Sequence, residues 1–361
     1  MLLFVLLIAL FLSVSSLAPT AKLLIVQNKG GGHGELGYQI CKEFEALGSK
    51  CDITILQDEA CKMDKPPFSS YGELGNVNIV KAPLGDRSLG SSSLSDGFTH
   101  VIDNWSKKPE DFEFVKSVVG DKLDRYLFVS SAGMYVQGAG LHPHTETDAV
   151  KDGNGARNVE LAVESSGIPY TFMRPQYIYG PKASKRYLDY YIARAARKLP
   201  IPLPLSGEQL VCLSNVGDVC SMIANAVGND AAKNEIFNCA TDKFITYKGL
   251  GDMINDMVGN KAEDNKYYFY EPKDFNFEKG STFPFRRDTF IVGVDKAKTK
   301  LGWTSKHSLE NDVKDLVATH MNGSGIKEEW GKDQLTPDLE IMASKDASFA
   351  FDYSFLDDAK V

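Results

Sequence analysis

The sequence predicts an α/β protein: a doubly wound parallel sheet with a smaller C-terminal lobe. Three observations carry that expectation. An apolar strand runs into a glycine cluster and then a helix, strand-length apolar segments alternate with helical periodicity through residue 180, and the chain changes character after Pro181. Lys22–Gln27 reads as the first strand. Leu36, Ile40, Phe44 and Leu47 follow at helical spacing until Gly48 stops the helix. Residues 52–56 supply the second strand, and 99–102, 126–130 and 170–174 supply three more, with helical stretches between several of them. Ligands on such a sheet are expected at the carboxyl ends of its strands. Beyond Pro181 come a basic helical stretch, the proline-rich residues 199–205, and helices near Val216–Val227 and 246–258. The organisation is therefore a presequence at 1–20, a dinucleotide-binding-type domain at 21–180, a smaller lobe at 181–335 with returning sheet elements, and an acidic tail at 336–361 in which Phe349, Phe351, Tyr353 and Phe355 alternate.

Composition narrows the function classes. The chain has 361 residues, 43% hydrophobic and 24% charged, which excludes a disordered, collagenous or repeat protein. Forty Lys+Arg against 48 Asp+Glu leave a charge of -8, so any nucleic-acid site has to be a local patch. The six cysteines form no CxxC pair, which argues against a structural zinc and for buried reduced thiols. Residues 2–12 are an unbroken apolar run too short to span a bilayer, and no later segment does better, so no membrane is expected for the mature form. The run reads as a signal-peptide core. Ser15-Ser16-Leu17-Ala18-Pro19 after it resembles the cleavage motif of bipartite plastid presequences, with plain secretion as the alternative.

The glycine cluster reads G-x-x-G-x-x-G at Gly31, Gly34 and Gly37, where missing Cβ atoms let a pyrophosphate approach a helix N-terminus. His33 within it either bonds a phosphate or is simply solvated. The acid expected at the end of the second strand, to hold an adenosine ribose, is displaced to Asp58. NAD(P) is thus a candidate cofactor that the motif does not secure.

Ser130-Ser131-Ala132-Gly133-Met134-Tyr135 after one strand, and Arg174-Pro175-Gln176-Tyr177-Ile178-Tyr179-Gly180 after another, resemble the extended short-chain dehydrogenase/reductase superfamily, with its Rossmann-like sheet. Those enzymes require Tyr-x-x-x-Lys on the helix after the serine strand, because the lysine lowers the phenol pKa for proton transfer. Here Asp152 and Ala156 occupy the two positions, and Ser131 remains without its partners. Reductase or epimerase chemistry is disfavoured.

A branch that lacks the dyad is similar to this chain: the chloroplast stem-loop-binding proteins. The segments carrying the resemblance are Leu24-Ile25-Val26-Gln27-Asn28 with Gly31-Gly32-His33, Lys65-Pro66-Pro67-Phe68, Val101-Ile102-Asp103-Asn104, Ser130-Ser131-Ala132-Gly133, Arg174-Pro175-Gln176-Tyr177 and Phe283-Pro284-Phe285-Arg286. The resemblance implies a plastid protein that binds stem-loop RNA, cleaves it with a divalent metal such as Mg²⁺, forms homo- or hetero-oligomers with a related member, and associates with ribosomes. One or two carboxylates at strand ends would suffice for Mg²⁺. Asp103 is the first candidate and Glu146 and Asp148 follow, with capping and turn formation as the competing role for all three. For RNA, Lys182, Lys185, Arg186, Arg194, Arg197 and Lys198 form the visible basic stretch. Tyr187, Tyr190 and Tyr191 among them read equally as base-stacking groups or as the buried stripe of an amphipathic helix. Arg286 and Arg287 either extend that patch or pair with acids. Three functions follow: an RNA-binding protein with metal-dependent endoribonuclease activity, an NAD(P)-dependent epimerase/dehydratase or reductase, and a catalytically inert dinucleotide-sensing scaffold.

Overall fold

The computed structural model describes residues 21–27, 35–120, 122–138, 142–183, 185, 187–277, 283–324 and 332–345. The presequence, Gly31, His33 and Gly34 of the glycine cluster, Arg186 and the aromatic part of the tail lie outside them.

Seven parallel strands form the sheet: β1 (Lys22–Gln27), β2 (Asp52–Asp58), β3 (Val77–Ala82), β4 (His100–Asn104), β5 (Arg125–Val129), β6 (Tyr170–Pro175) and β7 (Glu235–Cys239). Their spatial order is β7-β6-β5-β4-β1-β2-β3, so the winding reverses between β1 and β4. That reversal opens the crevice in which ligands of such sheets sit. The central strands are buried on both faces, as their near-continuous apolar runs require. β3 and β7 were not anticipated from the sequence, and both are edge strands. β3 has a half-exposed pattern, and β7 follows the smaller lobe's first elements and returns to pair with β6.

Around the sheet lie α1 (Leu36–Ala46), α2 (Pro109–Val119), α3 (Gly155–Ser165), α4 (Asp189–Ala196), α5 (Val216–Val227), α6 (Tyr247–Met257), α7 (Asp295–Leu301), α8 (Leu309–Thr319) and α9 (Lys332–Lys345). One core joins α1 and α5 to the sheet, and a second joins α2 and α3 to its other face. α5 is buried all round, which suits its mostly apolar and small sequence; its buried Asn225 donates to the Leu301 carbonyl and its Asp218 accepts from the Lys306 N–H. A third core, away from the sheet, gathers Tyr191, Ile192, Leu203, Leu250, Phe283, Phe285 and Val313 from α4, α6, α8 and the loops between them. The proline-rich residues there form Ile201–Pro204, paired in parallel with Tyr267–Tyr270 in a two-stranded sheet whose open edges tolerate proline. All six cysteines are buried free thiols. Among the described residues no helix is long and apolar enough to cross a membrane.

Candidate functional site

The carboxyl ends of β1, β2, β4, β5 and β6 lie along one edge of the sheet, where the reversal of winding is expected to admit a ligand, and each carries polar side chains. At the reversal point, Asn104 Nδ2 donates to Gln27 Oε1 at 3.1 Å, and both amides are buried. α1 enters directly beside them. A Cβ on Gly37 would stand 2.6 Å from Gln27 Oε1, so the third glycine of the cluster is required for close helix-to-strand packing. β2 continues through Asp58, so this acid ends the strand rather than lying beyond it. Its Oδ1 accepts from the Ala60 N–H at 3.0 Å.

Asp103 is placed as a structural carboxylate. It is completely buried; Oδ1 accepts from the N–H groups of Trp105 and Ser106, each at 2.9 Å, and Oδ2 from the Tyr126 hydroxyl at 2.6 Å. Burial raises its pKa, opposed by those hydrogen bonds. Such a group has no face left for a hydrated cation. Glu146 accepts from the Asn238 N–H at 2.8 Å, and burial raises its pKa. Asp148 is spent on the His144 ring at 2.8 Å and the Thr145 hydroxyl at 2.7 Å. The three carboxylates therefore do not assemble a Mg²⁺ site, and among the described residues no three His, Cys, Asp or Glu side chains group to hold a metal.

Ser131 caps the short turn that follows β5, its Oγ accepting from the Gly133 N–H at 3.1 Å. The adjacent Ser130 instead donates to Glu160 at 2.7 Å. Glu160 is fully buried and receives both Arg174 Nε at 2.9 Å and Nη2 at 2.7 Å. Burial acts against the Arg174 charge, but the Glu160 hydrogen bonds outweigh it and hold the guanidinium above its ordinary pKa. Arg174 Nη1 also donates to Tyr135, whose hydroxyl donates to Asn238 at 2.7 Å. Burial pushes the Tyr135 phenol up to about 12, so this tyrosine is no substitute for the missing proton donor. Asp152 is exposed ahead of α3, and Ala156 packs against the second core.

Two cations meet above Ser131. Arg286 Nη2 donates to the Gly133 carbonyl at 2.9 Å, and Lys151 Nζ to the same carbonyl at 3.1 Å. The Arg286 guanidinium lies 3.7 Å over the Phe290 ring and has no carboxylate partner among the described residues. Burial holds it below the usual arginine range, and its Nη1 is buried without an acceptor. The side chain as a whole is only half-buried, and the exposed part of such a cation suits an incoming anion. Arg287, by contrast, is paired with Glu271 and Asp288.

The basic stretch is divided. Lys185 and Lys198 are exposed, Lys182 rests over the Tyr38 ring at 5.0 Å, and Arg197 is half-buried and bonded to the Ala193 carbonyl. Arg194 is corrected as an RNA contact: it is 4% exposed and forms a two-pronged pair with Asp338 of α9 at 2.7 and 3.0 Å. Tyr191 is buried against Phe283 and Phe285, Tyr187 stacks on Phe285, and Tyr190 donates to the Pro202 carbonyl, so the aromatic residues form the inward stripe. Lys151 escaped sequence reasoning because its partner Arg286 is over a hundred residues away in the chain.

The fold is a doubly wound Rossmann-like sheet, and Asp152 and Ala156 stand where the sequence reading expects a proton-transfer Tyr and Lys. Residues 113–240 match the NAD dependent epimerase/dehydratase family. Among solved structures, an epimerase from Methanothermobacter thermautotrophicus superposes with a TM-score of 0.61 at 14% identity, covering 90% of this chain and 95% of that one. A dTDP-glucose 4,6-dehydratase from Bacillus anthracis in complex with NAD gives 0.63 at 15% identity, covering 87% and 100%. The more particular resemblance is borne out by the chloroplast stem-loop binding protein of 41 kDa b of Arabidopsis thaliana, a chloroplastic protein, which is 34% identical over 240 residues. The match covers 65% of this chain and spans 62% of that relative.

Proposed function

We propose that this chain is a plastid RNA-binding protein that grips stem-loop RNA over the carboxyl ends of β5 and β6. The observation that carries the reading is the convergence of two cations, Lys151 and the half-buried Arg286, on the Gly133 carbonyl, near the positions where a dehydrogenase would need Tyr and Lys. Positive charge without a proton-transfer group suits holding a phosphodiester, and RNA hairpins are recognised through their phosphates and unpaired loop bases. The chloroplastic relative and the leader followed by Ser16-Leu17-Ala18-Pro19 support plastid import. Asp103, Glu146 and Asp148, already engaged by hydrogen bonds, do not fit a hydrated Mg²⁺.

The test is titration of a labelled hairpin RNA with the purified chain at low salt, with Mg²⁺ and separately with EDTA. Binding in both arms, weakened by salt and by Arg286→Ala, is the expected result. No binding at low salt would end the RNA reading, and cleavage confined to the Mg²⁺ arm would place a metal on groups other than these three carboxylates.

A dinucleotide reading has its own support in Gly37 and in Asp58 at the end of β2. With Asp152 and Ala156 at the dyad positions, NAD(P) bound there would be retained and not turned over. NADPH absorbance that stays constant with sugar nucleotides, alongside measurable NADPH binding, is the outcome that favours it.

A further inference from the structure

A second site lies away from the crevice. A cavity of about 500 Å³ opens between the loop after Tyr179, α4 and α8, and none of Ser131, Gly133, Lys151 or Arg286 lines it. Its walls differ in charge. Lys182 and Lys185 stand on the loop side with Asp189 at the start of α4 beside them, and Asp315 and Thr319 occupy consecutive turns of α8 on the other. Leu188, Ile192 and Leu316 supply apolar surface between them. Asp312 belongs to the framework: its Oδ2 accepts from the Tyr179 hydroxyl at 2.6 Å and from Asn215 Nδ2 at 2.9 Å, which ties α8 to the start of α5. Asp315 is exposed and forms no ion pair among the described residues.

We propose that this cavity takes a nucleoside 5′-phosphate unit, either a free nucleotide or one unpaired nucleotide of an RNA loop. The phosphate meets Lys185 at the loop wall, beside Lys182, whose ammonium lies over the Tyr38 ring. The base lies against Leu188, Ile192 and Leu316, and its amino edge, a hydrogen-bond donor in adenine, cytosine and guanine, reaches the Asp315 carboxylate and Thr319 hydroxyl. The volume falls in the range that encloses ligands of this size. A purely basic ligand would meet the two lysines and a purely anionic one Asp315, so a molecule with an anion at one end and donors at the other fits best. For the RNA source the proposal deepens the RNA reading and rests on it; for a free nucleotide it stands alone.

Calorimetric titration with AMP, and anisotropy with a hairpin and with a blunt duplex of the same stem, separate the cases. Leu316→Trp fills the cavity. Lys185→Glu alters an exposed side chain that the fold does not need. Both should weaken AMP about tenfold or more, the loss of one stacked or phosphate-held nucleotide. Hairpin affinity should fall in the same variants while the duplex is unaffected. AMP weakened with hairpin affinity unchanged assigns the cavity to a free nucleotide. Absence of AMP binding, or AMP binding indifferent to both variants, overturns the proposal even if the hairpin binds normally. A hairpin that fails to bind the unaltered chain removes the RNA reading, and the AMP arm still decides the cavity.

Discussion

Asp103 illustrates how a residue can hold the right position and still have another task. It stands next to last in β4, as its place in the sequence suggests, but its oxygens organise the next turn and bind Tyr126. Burial raises its folded pKa above the unfolded value. Its contribution to stability is therefore full below the ordinary carboxyl range and is lost as pH rises through the folded value. Asp103→Asn keeps an oxygen for the Trp105 and Ser106 N–H groups and cannot ionise. The urea midpoint of the variant should fall less than that of the unaltered chain between about pH 4 and about pH 7. Identical pH slopes would contradict this account of the carboxylate. The same logic applies to Arg286, where Lys is no replacement for a fork that reaches both Gly133 and an incoming anion. Arg286→Lys should lose most of the hairpin affinity that Arg286→Ala loses, with the denaturation midpoint nearly unchanged; full retention would mean that a point charge suffices.

At the level of elements, much of the framework was legible, and the reasons are local. β1, α1, β4, β5, β6 and α5 have apolar periods and stops within a single segment, and Gly37 showed its packing role through its spacing from the first strand. β3 and β7 were not legible because an edge strand lacks the continuous apolar run of a central one. Nor could spacing decide between the two readings of α4, since basic and aromatic residues at helical intervals fit either. Contact with α9 decides it: Arg194 pairs with Asp338, both almost wholly buried, and fastens the last described helix to the third core. Asp338→Ala should cost about 3 kcal/mol or more in chemical denaturation, because it strands a buried guanidinium. Replacing both partners, Arg194→Met with Asp338→Leu, should restore most of that stability. A single variant as stable as the unaltered chain would show that α9 is not held through this pair.

Across the whole molecule the charge balance sets how RNA can be bound at all. With a net charge of -8 the average field repels a polyanion, so attraction has to come from groups whose positive charge is not cancelled nearby. Many lysines and arginines do not qualify: Lys248, Lys296, Lys298, Lys300 and Arg287 all face carboxylates. Among the described residues, what stays available near the strand ends and the adjacent cavity is Arg286 with Lys182 and Lys185. A footprint of about three phosphates gives a slope of about -3 when the logarithm of the binding constant is plotted against that of salt concentration. Arg286→Ala should make that slope shallower by about one, whereas Lys298→Ala should leave it unchanged because its charge is already paired with Asp242. Binding whose salt slope is insensitive to Arg286, or equally sensitive to Lys298, would mean that RNA is held by a diffuse field and not by the crevice.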